Sequence, residues 1–241
     1  MTELLDQTLA SIVTGNHQSA AVFEKYNLDF CCRGKRSLQE ACRENKINPA
    51  SVLLDLEKIY ESKDSGGDDF SAMSLQELST YIVNTHHQYV KREMPVMLAY
   101  LQKVSSKHGE RHPELLKITA LFAAVCEEME MHMMKEEKIL FPRIDEVEKM
   151  YRENGSIPVS STFISAPVSI MEQEHDHAGS MLQEIRELTS DYHAPTDACT
   201  TYKLCYAALQ AFEQDLHRHV HLENNLLFPA AMKLFSRESL N

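Results

Sequence analysis

The 241-residue chain sets 24 basic against 36 acidic residues, and a formal net charge of −12 argues against nucleic acid or an anionic membrane surface as a partner. Glycine and proline are sparse while Leu, Glu, Met and Ala recur at helical spacing, so the expected fold class is all-α, and no apolar run approaches the roughly 20 residues of a membrane span. Six cysteines in so long a chain do not read as a secreted disulfide framework, and the acidic start lacks a signal-peptide pattern, so a cytoplasmic location is expected.

The first 63 residues read as a small helical domain. Leu4, Leu5, Leu9, Ile12 and Val13 supply one apolar stripe, and Ala20, Ala21, Val22, Phe23 and Tyr26 a second after the Gly15-Asn16 break. A turn follows that holds Cys31 and Cys32. Ser37-Leu38-Gln39-Glu40 then makes a capping box, and Pro49 opens a helix through Val52, Leu53, Leu56 and Ile59. A unit of this size is marginal alone, so it is expected to dock on something. The polar stretch Asp64-Ser65-Gly66-Gly67-Asp68-Asp69 marks a linker over 64–72, ahead of a second domain over 73–241.

Four long helices are predicted in that second domain. The first starts at the Ser74–Glu77 capping box and ends near Ser105; the second runs from Pro113 to about Tyr151, with a kink or break at Pro142. A polar loop spans Asn154 to Ser165. The third helix is expected from near Pro167 to Ser190, and the fourth from near Pro195 to Phe235 with a break at Pro229. Short connections make neighbours antiparallel, an up-down-up-down four-helix bundle.

The second and fourth helices share a motif at identical offsets. His132 and Glu136 precede Leu140-Phe141-Pro142, and His219 and Glu223 precede Leu227-Phe228-Pro229. A His and a Glu four apart lie on one helical face, here a face continuous with the apolar stripe. Buried polar groups are costly unless something neutralises them. Helix one adds His87 to its stripe and helix three adds His175. His87, His132, His175 and His219 follow one another at intervals of 45, 43 and 44 residues, which returns the chain to the same height in the bundle each time.

Four imidazoles and two carboxylates are too many ligands for one tetrahedral zinc. They suit two metals bridged by Glu136 and Glu223 and capped by two histidines each; N/O ligation without thiolate favours iron or manganese, and iron is the expected metal. Open positions would take O2, nitric oxide, water or a bridging oxo or hydroxo group. His86 is the alternative ligand from helix one. His177, His217 and His221 are expected on solvated faces, and Glu128 and Glu174 as acceptors that orient ligand histidines. Cys42, Cys126, Cys199 and Cys205 read as small packed hydrophobes. Cys31 and Cys32 sit near Arg33, Lys35 and Arg36, where positive charge would favour a thiolate able to relay metal or nitric oxide.

Tyr26–Lys35 with its double cysteine, the His132–Pro142 and Glu223–Pro229 motifs, and Glu172-Gln173-Glu174-His175-Asp176 together resemble the repair-of-iron-centres family. The resemblance covers essentially the whole chain. It implies a cytoplasmic protein with a hemerythrin-like di-iron bundle, linked to recovery of iron–sulfur clusters damaged by nitrosative and oxidative stress. It carries the six ligands onto His87, His132, Glu136, His175, His219 and Glu223, and favours His87 over His86. Damaged iron–sulfur proteins become the implied partners, nitric oxide or O2 the small ligands, and a homodimer one admissible assembly. Arg33 departs from the family's Cys-Cys-Gly-Gly-Lys turn. Two other functional classes fit the same site: a nitric oxide reductase or oxidase, and a sensor of O2 or nitric oxide.

Overall fold

The computed structural model describes residues 2–61 and 70–236. The predicted linker stretch 64–69 lies outside them. The fold class is all-α: among the described residues there is no strand, only one isolated bridge between Thr8 and Ser37.

The N-terminal unit comprises α1 (Thr2–Asp6), α2 (Leu9–Gly15), α3 (Ser19–Lys25), α4 (Leu38–Glu44) and α5 (Pro49–Glu61). The stripe expected to run unbroken from Leu4 to Val13 divides at Thr8, whose side chain accepts the Ser11 amide and caps α2. Ser37 and Glu40 form the predicted capping box on α4.

The larger unit is a bundle of four rods. The first joins α6 (Leu75–Ile82) to α7 (Gln88–His108), and the second joins α8 (Glu114–Lys135) to α9 (Phe141–Asn154). The third is α10 (Thr162–Leu188), and the fourth joins α11 (Thr200–His221) to α12 (Phe228–Ser236). α8 packs on α7 and α10, and α11 on α7 and α10, which closes the ring. Three rods contain a π-helical turn, at Val83–His87, Glu136–Leu140 and Leu222–Leu227. The Phe141 and Phe228 amides reach back five residues to the carbonyls of Glu136 and Glu223. Pro142 and Pro229 follow without an N–H to give, so the helix widens by one residue and continues where a break was expected.

Two helix starts differ from expectation. α10 begins at Thr162, so Pro167 lies inside it; the carbonyl Pro167 leaves unbonded, that of Phe163, accepts from Arg143 Nη1 at 3.2 Å. The same guanidinium sits 4.7 Å over the Phe163 ring. α11 begins at Thr200 rather than near Pro195, with Cys199 as its cap residue.

The apolar interior forms two clusters. One joins the N-terminal helices to α7, α8, the C-terminal half of α10 and α11. The other fills the opposite end among α6, α9, the start of α10 and α12. The six His and Glu residues of the motif belong to neither. They form a polar layer between the two clusters.

Candidate metal centre

The layer brings His87, His132, Glu136, His175, His219 and Glu223 together, all buried. The Nε2 atoms of His87 and His219 lie 3.1 Å apart, and those of His132 and His175 3.0 Å apart. Glu136 Oε2 lies 3.2 Å from His132 Nε2 and 3.4 Å from His87 Nε2. Glu223 places Oε1 2.9 Å from His219 Nε2 and Oε2 3.1 Å from His175 Nε2. Two donor sets result, His87–His219 and His132–His175, and both carboxylates belong to both.

Partners on the outer ring nitrogens aim the inner ones. His132 Nδ1 meets Glu174 Oε2 at 2.9 Å, and Lys135 in turn holds Glu174. His87 Nδ1 meets Glu137 Oε1 at 2.8 Å, and Lys91 lies 2.5 Å from the same oxygen. His175 Nδ1 donates to Asn224 Oδ1 at 2.9 Å. A proton fixed on Nδ1 leaves the Nε2 lone pair facing the centre. His219 is the exception: its Nδ1 has no hydrogen-bond partner, and His86 stacks on it at 5.6 Å. His86 instead turns Nδ1 to Asp215 and joins neither donor set.

Sequence reasoning missed Glu137 and Asn224. The signal was the repeat itself, because both stand one residue after the motif Glu. That position orients the histidine of a different helix, so no spacing within one helix exposes it. Glu128 was expected beside His132; it pairs with the exposed His177 instead.

The electrostatics follow from burial. Burial alone would push His87 and His132 down, but the carboxylates of Glu136 and Glu223 hold them at about 9 and about 10. Burial pushes Glu136 and Glu223 up, yet the surrounding imidazoles bring both below the ordinary carboxylate value. His219 falls below its usual value through burial. Both Glu136 oxygens and Glu223 Oε2 lack hydrogen-bond geometry to any partner. Buried carboxylate oxygens left so are costly unless a cation takes their lone pairs. The convergent N/O donors fit a pair of metal ions, and binding would displace the protons that the imidazoles otherwise carry.

The double-cysteine turn lies against the same helix. Asn225 Nδ2, two residues after Glu223, donates to the Cys31 carbonyl at 3.0 Å. Phe30 packs edge-on to His217 and His221. His217 and His221 were expected on a solvated face. His221 is buried and His217 pairs with Glu24 at 2.8 Å, because the N-terminal unit covers that side of α11.

Within the turn, Asp29 Oδ1 accepts the amides of Cys31 and Cys32, and Cys31 Sγ lies 3.3 Å from it. The expectation of a favoured thiolate fails at Cys31. Its hydrogen bond with Cys32, its burial and the Asp29 charge raise the thiol well above its ordinary value, while Arg36 is engaged by Glu44. Arg33 is exposed, and its amide donates to Asp29 Oδ1 at 3.3 Å. The steric demand falls on Gly34, where a Cβ would meet the Phe30 carbonyl oxygen at 2.2 Å. Asn225→Ala is expected to free the turn and speed alkylation of Cys31 about tenfold, read by mass-mapped iodoacetamide labelling. An unchanged rate would mean that Asp29 alone holds it.

No helix among the described residues is long and apolar enough to cross a membrane. The hemerythrin HHE cation binding domain family matches residues 78–231, and ScdA_N, a domain of unknown function, matches residues 5–60. The chain is 33% identical over 227 residues to a probable iron-sulfur cluster repair protein of Haemophilus influenzae, covering 94% of this chain and 96% of that one. It is 32% identical over 228 residues to the iron-sulfur cluster repair protein YtfE of Musicola paradisiaca, covering 95% and 97%. To the protein of that name in Dickeya chrysanthemi it is 33% identical over 231 residues, covering 95% and 97%.

Proposed function

Because the chain belongs to the hemerythrin HHE cation-binding family and to the iron-sulfur cluster repair proteins, we propose that it holds two iron ions and acts in repair of damaged iron–sulfur clusters. The observation that carries this reading is the membership of Glu136 and Glu223 in both donor sets. A carboxylate shared between two sets is the ligand a metal pair needs and a single ion does not. His87 and His219 would hold one iron, His132 and His175 the other, and the N/O donor set is of the type that suits iron. When bound, the iron pair supplies a redox-active cationic centre with positions open to nitric oxide or O2.

The rest of the work belongs to the chain. Glu137, Glu174 and Asn224 keep Nδ1 protonated and Nε2 turned inward. The two apolar clusters exclude bulk water from the layer. We read the chain as an N-terminal domain over 1–63, a linker over 64–72 and the bundle over 73–241. Cys31 and Cys32 would relay iron or nitric oxide between the bundle and a damaged iron–sulfur protein in the cytoplasm. Asn225 supports that role by tying the cysteine turn to the helix that carries Glu223.

The test is iron content with Mössbauer spectroscopy on the anaerobically purified protein, beside a cluster-repair assay. About two coupled irons per chain are expected. Cys31→Ala with Cys32→Ala should abolish repair and keep the irons. A single metal, or zinc alone after iron-replete preparation, would overturn the di-iron reading; normal repair by the cysteine variant would overturn the relay.

A further inference from the structure

A second reactive constellation lies at the far end of the bundle. Cys199 stands at the N-terminal cap position of α11, and its Sγ lies 3.3 Å from Nε2 of His108 at the end of α7. His108 is buried against the Tyr202 ring, with centroids 5.3 Å apart. Its Nδ1 has no hydrogen-bond partner, so the thiol is the polar group this imidazole faces. Some 20 helical residues separate Cys199 from His219, about 30 Å at 1.5 Å per residue. The pair is therefore independent of the metal layer.

We propose that Cys199 and His108 form a reactive thiol site that undergoes exchange with a small anionic disulfide of the glutathione type. Cys199, like Cys32, is half-buried and so reachable, whereas Cys31, Cys42, Cys126 and Cys205 are buried. Lys107 adds positive charge, and Arg111 reaches Asp197 two residues away. Arg111 is thus engaged, and Lys107 is the cation that suits a ligand carrying carboxylates. The amide of Tyr202 in the first helical turn, more than any other group, holds the Cys199 thiol below its ordinary value, with Thr201 and Lys107 adding to it against burial. Burial instead pushes Cys126 and Cys205 up to about 12.

The step balances without another electron carrier. His108 takes the thiol proton, and the Cys199 thiolate attacks one sulfur of the disulfide. An Sγ–S bond forms, the ligand's S–S bond breaks, and the departing thiolate takes up the proton. Cys199 is oxidised and half of the ligand is reduced.

The experiment treats the full-length protein with glutathione disulfide and maps the product by peptide mass. Cys199 should carry the first mixed disulfide of the six cysteines. Its iodoacetamide rate at neutral pH should exceed that of the same cysteine in denatured chain about threefold or more, allowing for the lower nucleophilicity of a more acidic thiol. The midpoint of its rate–pH profile should fall below the ordinary thiol value. His108→Gln should return the rate toward the denatured value while the Tyr202 amide keeps the midpoint lowered, and Cys199→Ser should keep the iron content. A Cys199 no faster than in denatured chain would overturn the site. An unchanged rate in a folded His108→Gln protein would overturn the dyad, and oxidation by peroxide without disulfide exchange would overturn the ligand class.

Discussion

Glu136→Ala or Glu223→Ala is expected to empty both metal positions at once, while His175→Ala should lower occupancy at one. The difference follows from membership: each carboxylate belongs to both donor sets and each histidine to one. Iron per chain and the coupled Mössbauer signal are the direct readouts. A second readout is thermal stability with and without metal. A ligand that binds only the folded state stabilises it by about 4 kcal/mol at a thousandfold excess over its dissociation constant. The wild type should show that shift on iron loading and both Glu variants should lose it. Two irons retained in either variant would sink the shared-carboxylate arrangement.

Arg186→Ala is expected to be strongly destabilising although it lies away from the metal layer. Arg186 Nη2 lies 2.8 Å from Glu213 Oε1, and Nε lies 3.0 Å from Oε2. Glu213 is only 2% exposed, and its Oε2 also accepts the Tyr192 hydroxyl at 2.9 Å. Nη1 of the same arginine reaches Asn27 of the N-terminal unit at 2.6 Å. Removing the guanidinium strands a buried carboxylate, a loss of roughly 3–5 kcal/mol. Tyr192, the last of three consecutive non-glycine residues at positive φ, is then left bonding a carboxylate that no guanidinium shares. Chemical denaturation should show a loss of that order, and limited proteolysis should cut the N-terminal unit faster. A loss below about 1 kcal/mol, the worth of an ordinary hydrogen bond, would mean that Glu213 finds another partner for its freed oxygen.

The chain order already showed much of this layer. The duplicated His-x-x-x-Glu motif and the near-constant histidine interval are periodic signals, and a bundle converts constant interval into constant height. Capping boxes at Ser37 and Ser74 marked helix starts because their chemistry is local. What stayed hidden depends on neighbours distant in sequence. Pro167 looked like a helix start because its lost hydrogen bond is visible in sequence, whereas the compensating donor, Arg143, comes from another rod. His217 and His221 looked solvated because helix periodicity records which face is polar and not what packs on it. The π-turns were hidden as well, since a widened helix reads as ordinary periodicity followed by proline.

The turn at Leu222–Leu227 sends three consecutive side chains to three neighbours. Glu223 points to the histidines, Asn224 to His175 and Asn225 to the Cys31 backbone. Successive residues on a helix diverge by about 100°, so no single shift of register could preserve all three contacts. Inserting or deleting one residue here would misdirect the carboxylate and the cysteine clasp in the same stroke. A change in length is thus expected to be tolerated only in the polar stretches between the rods. The cysteine turn and the metal layer depend on one helical register.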